Sequence, residues 1–441
     1  MPETRPFLAG LLRGQGGRAV MRNLGWLLAG RGFQAVLSLF YLAVVTRALG
    51  VEGFGRFALI TGAAQALSTL VAFQSWQVIV QYGVELVRRR DDAALARLFK
   101  GAALLDLFSA CLGGATAILI LSLWSEALGI SPTLKRATMI FAVVQVVTIS
   151  STPLGILRLR DRFRLAALAD SIVAITRFVG AGIVLFVHPT VQGFMVVWGL
   201  AEILTAAAYW TIVARSGDLR LIRSATNVRL LLKEHPGIIG FALSSNANTT
   251  LALASKQAPL LLVGALLGTT AAGGYRLGAQ LAQALGKMSQ LIARAAFPEV
   301  VRAVRGADPA HVRRLLVRAA GASAVAGLVI ILVAAVAGQA VLDLIAGREF
   351  AQAYPVLVLM AAAGGVEFTA MTADTVSTAR GQASTVFVIR CIGLLALAAV
   401  SAWAIGWAAE AGMALGVLAG SATSAALLLA VTWWRLRPQT R

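Results

Sequence analysis

Acidic residues are scarce in this chain of 441 residues: 19 Asp and Glu stand against 39 Lys and Arg, a formal net charge of +20. Cysteine is scarcer still. Cys111 and Cys391 both lie in apolar runs, which leaves a disulfide framework or a thiolate metal site without support. With three histidines and no His/Cys cluster, no metal centre is expected. No G-x-x-x-x-G-K-[ST] stretch occurs, so direct use of ATP through a phosphate-cradling loop is not expected either.

What is present is apolar surface. The chain is 59% hydrophobic and 13% charged, the composition of an all-α polytopic membrane protein. A charge of +20 in a soluble protein would suggest nucleic acid. Here loop cations that fix membrane topology account for most of it, and no nucleic-acid partner is expected. No cleavable signal peptide is evident. The first apolar run begins near Leu24, after a polar leader carrying Arg5, Arg13, Arg18 and Arg22, and is long enough to span.

Hydrophobic runs predict twelve membrane spans, near 24–46, 57–82, 101–123, 137–157, 166–187, 192–214, 237–264, 275–297, 319–338, 354–376, 384–407 and 411–434. With both ends cytoplasmic, the inner segments hold 28 of the 39 Lys and Arg and the outer ones 5, which favours that orientation. Outer connections are short, leaving no extracellular domain for an enzyme or a receptor. The longest polar loop, Arg215 to Pro236, bridges two halves. The expected organisation is a leader (1–23), a six-helix lobe (24–214), a linker (215–236), a second six-helix lobe (237–434) and a tail (435–441).

The halves look related. At an offset of 218, Val45, Leu49, Gly50, Gly55 and Phe57 align with Val263, Leu267, Gly268, Gly273 and Tyr275. At 217, Arg97-Leu98 aligns with Arg314-Leu315. Six spans per half with the same entry side makes this a parallel repeat about an axis along the membrane normal.

Polar residues inside spans mark the candidate site. Arg276, Gln280, Gln283, Lys287, Gln290 and Arg294 recur at spacings of 4, 3, 4, 3 and 4, one face of a helix. At 1.5 Å per residue the stripe is roughly 27 Å long, about the thickness of a bilayer's hydrocarbon core. Three cations and three amides at that depth predict a wet path for something anionic or polar. The end residues Arg276 and Arg294 can also snorkel to headgroups; Lys287 lies deeper. In the first span, Arg31, Gln34, Ser38 and Tyr41 share a face; in the seventh, Ser245, Thr249 and Lys256 do. The run Ser244 to Thr250, with Asn246 and Asn248, is too polar for acyl chains, and lines a cavity or bonds neighbouring helices.

Intramembrane acids are Asp106, Asp170, Glu202, Glu367 and Asp374. Asp170 and Arg177 are seven residues apart, about 10 Å along a helix axis, so each needs a partner elsewhere. Glu367 or Asp374 can bind a proton or Na⁺ and couple transport to a gradient, or neutralise a cavity cation. Beyond such a coupling ion no cofactor is expected. The Arg runs Arg88-Arg89-Arg90 and Arg158 to Arg164 are topology determinants touching anionic lipid.

The stretch Thr46-Arg47-Ala48-Leu49-Gly50-Val51-Glu52-Gly53-Phe54-Gly55 resembles polysaccharide flippases of the Wzx type, within the multidrug/oligosaccharidyl-lipid/polysaccharide exporter superfamily. Leu159-Arg160-Asp161-Arg162-Phe163 and the stretch from Gly347 to Leu357 fit the same pattern. The resemblance implies two six-helix lobes around a central cavity. It implies a non-enzymatic flippase of the bacterial inner membrane, moving a polyprenyl-diphosphate-linked oligosaccharide for surface polysaccharide (O-antigen, capsule or exopolysaccharide) synthesis. Contact with polymerase and export machinery is a further implication. Arg31, Lys256, Arg276 and Lys287 are the cations that can meet the diphosphate. Gln34, Gln280, Gln283, Asn246 and Asn248 can serve the glycan.

Other readings differ in the site. A drug antiporter of the same superfamily would want an acidic cavity. A lipid II flippase typically has two further C-terminal helices. A major-facilitator transporter would carry a fuller loop motif than Gly83 to Arg90. A membrane-embedded glycosyltransferase or polymerase would need a catalytic base or metal on a sizeable loop.

Overall fold

The computed structural model describes residues 15–124, 132–148, 150–304, 309–379 and 383–435. Among them all regular structure is helical. Nine helical segments among the described residues are long and apolar enough to cross a membrane. Two of the underlying helices are far too long for a single crossing: Gln15–Val71 has 57 residues and Ile238–Val304 has 67. Straight, the second would extend about 100 Å. Each is two helices joined at one glycine, Gly50 (φ 64°, ψ −178°) and Gly268 (φ 87°, ψ −177°). Positive φ with ψ near 180° is reserved for residues without a Cβ. A third junction, at Ala409 (φ 48°, ψ −127°), divides Ala383–Arg435.

Divided at these points, the described helices form twelve spans. Span 1 is 15–49 and span 2 is 51–71 continued by Ser75–Arg89. Span 3 is Asp92–Trp124, and span 4 is Pro132–Val147 continued by Ser151–Leu159. Spans 5 and 6 are Phe163–Val187 and Val191–Arg215. Spans 7 and 8 are 238–267 and 269–304; span 9 is Pro309–Ile345; span 10 is Ala353–Ala379. Spans 11 and 12 are 383–408 and 410–435.

Several boundaries differ from the sequence expectation. Span 1 already runs helical from Gln15, inside the expected leader. The expected loops 47–56, 265–274 and 408–410 shrink to single residues, because one glycine, or one strained alanine, reverses the chain where hydropathy sees a polar dip. Spans 2 and 4 are interrupted, at 72–74 and between Val147 and Ser151. The expected linker holds two short helices, Asp218–Ser224 and Leu230–Glu234. They are fastened to the first lobe: Arg160 pairs with Asp218 at 2.9 Å, Arg97 Nε donates to Glu234 at 3.1 Å and Lys100 Nζ to the Ala225 carbonyl at 2.7 Å.

The repeat is visible in the backbone. Gly50 and Gly268, equivalent at the 218 offset, share one rare conformation. Their neighbours meet across the lobe boundary. A Cβ added at Gly55 would collide with the Thr269 carbonyl, and one at Gly273 with that of Val51. These contacts are each other's images at the same offset, so the pseudo-two-fold axis passes between Gly55 and Gly273. Only glycine lets two helices cross this closely.

The same end is sealed further. Arg47 donates Nε to the Ile345 carbonyl at 3.1 Å, at the C-terminus of span 9, where unpaired carbonyls attract a cation. Phe54 packs on Phe350 with ring centroids 6.0 Å apart. Span 2 runs antiparallel to span 7, joined by Gln257 Nε2 to Gln65 Oε1 at 2.8 Å and by Ser245 to Gln77. Outward faces carry exposed Leu, Val and Phe, such as Leu119, Phe186, Val336 and Leu395, the surface that a membrane protein turns to acyl chains.

Candidate functional site

Arg177 on span 5 is the first charged group of the site. Its Nη2 pairs with Glu202 Oε1 of span 6 at 2.8 Å, and its guanidinium lies 3.7 Å from the ring centroid of Trp198. Both partners sit on span 6 four residues apart, one face of one helix. Arg177 Nε is buried without an acceptor among the described residues. An ion pair with one guanidinium N–H left over is not closed upon itself.

Tyr41 of span 1 adds a second donor. Its ring meets Trp198 edge-on at 6.2 Å, and its hydroxyl is buried without a partner among the described residues. Arg276 of span 8 comes from the other half of the chain. It lies within electrostatic reach of Arg177 and Tyr41, is partly buried, and has no ion-pair or hydrogen-bond partner among the described residues. Glu202 balances Arg177; nothing described balances Arg276. The cluster therefore carries about one excess positive charge and three sources of unused donors. In a poorly polarisable interior, that arrangement attracts an oxyanion rather than a cation.

The remaining predicted residues distribute as follows. Gln280 is partly buried and Gln283 exposed, both on the helical face below Arg276. Gln34 turns to its own lobe, donating Nε2 to Ser171 Oγ of span 5 at 3.2 Å. Asn246 is partly buried, and its Oδ1 accepts from Thr250 Oγ1 at 3.4 Å. Lys256 is exposed, while its neighbour Gln257 faces span 2. The side chains of Arg31, Asn248, Lys287, Gln290 and Arg294 lie outside the described residues.

The intramembrane acids are all engaged. Asp374 pairs with Arg390 of span 11 at 2.8 Å, and Glu367 accepts from Ser421 of span 12 at 2.9 Å. Asp170 accepts from Tyr209, and Asp106 from Ser75 and Thr152. The separate partners required for Asp170 and Arg177 are thus Tyr209 and Glu202.

Sequence reasoning placed Arg276 in the site but missed Arg177 as a member. The available signal was the pair Arg177 and Glu202, a lone cation and a lone acid in adjacent spans of low charge. Trp198, four residues before Glu202, strengthened it.

Comparison with known proteins bears on the whole chain. Residues 20–304 match the family described as polysaccharide biosynthesis protein. The inner membrane protein YghQ of Escherichia coli K12 is 25% identical over 344 residues, covering 77% of this chain and 96% of that protein. Among solved structures, an inward-facing multidrug resistance MATE family transporter of the MOP superfamily superposes with a TM-score of 0.65 at 16% identity, over 91% of this chain and 94% of the other. The lipid II flippase MurJ, in an inward closed conformation, also gives 0.65, at 13% identity, over 92% and 87%. At these identities the structural likeness shows the fold alone: the chain folds like this MATE transporter and MurJ.

Proposed function

The chain belongs to the polysaccharide biosynthesis protein family and is a multi-pass inner-membrane protein of MOP-superfamily fold; from that premise we propose that it is a flippase for a polyprenyl-diphosphate-linked oligosaccharide. The observation that carries the reading is Arg276, partly buried inside span 8 without a partner among the described residues and within electrostatic reach of Arg177 and Tyr41. A diphosphate brings about two negative charges, and taking them unpaired into hydrocarbon is prohibitive. A partly compensated arginine pair offers both charge and directed donors at that depth.

The substrate would place its diphosphate between Arg276 and Arg177, its sugars among the amides of Gln280 and Gln283, and its tail in lipid. No bond is made or broken. One lobe rocks on the other while the anion stays near the pseudo-two-fold axis. The Gly55 end, sealed by Arg47, Phe54 and Phe350, would face outward, in line with the basic loops gathering at the other end. An organic-cation substrate fits poorly, because Arg276 would repel it. For ion coupling, Glu367 is the better candidate: Asp374 is already neutralised by Arg390.

The test is translocation in proteoliposomes of a fluorescent polyprenyl-diphosphate glycan, read by its accessibility to an impermeant quencher. Wild type should equilibrate the two leaflets. Arg276→Ala should insert normally and fall at least about tenfold in rate, the loss of one charge-assisted contact. Equal rates would remove the anion from this position.

A further inference from the structure

The first lobe is built from two cores stacked along its spans. Near the Gly50 end, Phe54, Phe57, Ile60 and Ala64 of span 2 join Ala117 and Leu121 of span 3 and Phe141 of span 4 in a core shared with the second lobe. Near the Arg88 end, Val78 and Ile79 join Leu95, Leu98 and Phe99 and Ile156 and Leu157 in a separate core. Spans 2 and 4 are both interrupted between these cores. Asp106 of span 3, buried, lies at the same level.

The interruptions are held together in a particular way. Neither half-helix, Ser75–Arg89 or Ser151–Leu159, receives a capping bond from its own preceding side chain. The caps come from elsewhere. Asp106 Oδ2 accepts from the Thr152 backbone N–H at 2.9 Å, from Thr152 Oγ1 at 2.7 Å and from Ser75 Oγ at 2.9 Å. Ser151 Oγ accepts from the Trp76 N–H at 3.2 Å and lies within hydrogen-bond distance of Ser75 Oγ, 2.8 Å away. One carboxylate and one hydroxyl thus cap both half-helices.

Charge favours the arrangement. A helix N-terminus is equivalent to roughly half a positive charge, and the start of Ser151–Leu159 meets the Asp106 carboxylate directly through the Thr152 N–H. Among the described residues the second lobe shows no counterpart: at offsets of 217 and 218 from Asp106 stand Ser323 and Ala324, and the backbones of spans 8 and 10 run helical through the matching level.

We propose that Asp106 is a positioning residue that holds a joint inside the first lobe, at which the Arg88-end body pivots on the Gly50-end body. That body keeps its own contacts with the start of span 7, through Gln77 to Ser245 and Tyr82 to Phe241. It can hold them while the seal at Gly55 and Phe350 parts. The functional part of this inference rests on the transport reading; the joint itself does not.

The experiment separates the two. Spin labels at the exposed Leu70 and Val84 straddle the interruption of span 2, and a second pair at Leu104 and Leu119 lies on unbroken span 3. In detergent, without substrate, dipolar spectroscopy on wild type should give one narrow distance for each pair. Asp106→Leu should at least double the width for the first pair and leave the second unchanged. Asp106→Asn, which keeps an acceptor, should restore most of the narrowing. If Asp106→Leu leaves the first pair narrow, or broadens both pairs alike, the joint is refuted whatever the protein transports. In the translocation assay, Asp106→Leu should lower kcat several-fold with KM unchanged, and Asp106→Asn should restore most of the rate. An equal rise in KM would instead place Asp106 in substrate binding and overturn the positioning role.

Discussion

Arg276 of span 8 and Arg177 of span 5 lie within electrostatic reach of each other although they belong to different halves of the chain, and among the described residues only Arg177 of the two has a carboxylate partner. The imbalance separates the two in kind. Arg177 is tied into its lobe by Glu202 and Trp198; Arg276 is available to a ligand.

Removing Arg177 should therefore be a stability event. Arg177→Ala leaves Glu202 in a largely buried position without its partner, at a cost of about 3 kcal/mol or more. The double variant Arg177→Met/Glu202→Gln should cost less than Arg177→Ala alone. Thermal unfolding in detergent checks the order. Arg276→Ala should change Tm by no more than a few degrees.

Tyr41→Phe should divide stability from binding. The hydroxyl is buried without a partner among the described residues, so its removal should be neutral or slightly stabilising. If it serves the substrate anion, affinity should fall several-fold all the same. A loss of Tm with unchanged affinity would contradict its place in the site.

The crossing of spans 2 and 8 should be intolerant of bulk. Gly55→Val pushes a side chain into the Thr269 carbonyl, and this should abolish translocation or prevent accumulation of folded protein. Gly286→Ala and Gly406→Ala, which meet nothing within 4 Å, should behave as wild type. Gly50→Ala and Gly268→Ala impose positive φ on a residue with a Cβ and should each cost about 1 kcal/mol or more. Size-exclusion yield and thermal unfolding check each variant.

For coupling, Glu367→Gln should alter the dependence of transport on proton or Na⁺ gradients. Asp374→Asn should mainly destabilise by stranding Arg390. Gradient-imposed proteoliposomes read the first effect and thermal unfolding the second.

The spans were legible because burial in lipid demands long apolar runs, and the repeat was legible because Gly50 and Gly268 serve the same turn. The stripe beginning at Arg276 is a reading of spacing, of which the described residues hold Arg276, Gln280 and Gln283. The interruptions in spans 2 and 4 were not legible in the same way. Their hydropathy is continuous, and their capping partner Asp106 lies 31 residues from Ser75 and 46 from Thr152. The one local sign is Ser151-Thr152-Pro153, hydroxyls followed by a proline that suits a first helical turn. The place of Arg177 was hidden for a related reason. A lone intramembrane arginine announces that it needs a partner, but only the packing of the spans shows that the partners are Glu202 and Trp198. Gln34 points the other way: it shares a face with Tyr41 in sequence, yet bonds Ser171 within its lobe.

The central claim is that an anion binds between the lobes at Arg276. Its most direct measurement is calorimetric titration of the detergent-solubilised protein with a polyprenyl diphosphate bearing no sugar, for wild type, Arg276→Ala and Arg276→Glu, at two salt concentrations. Binding by wild type, weakened at least about tenfold by Arg276→Ala and lost in Arg276→Glu, is the expected result. Equal affinity for all three proteins would contradict it.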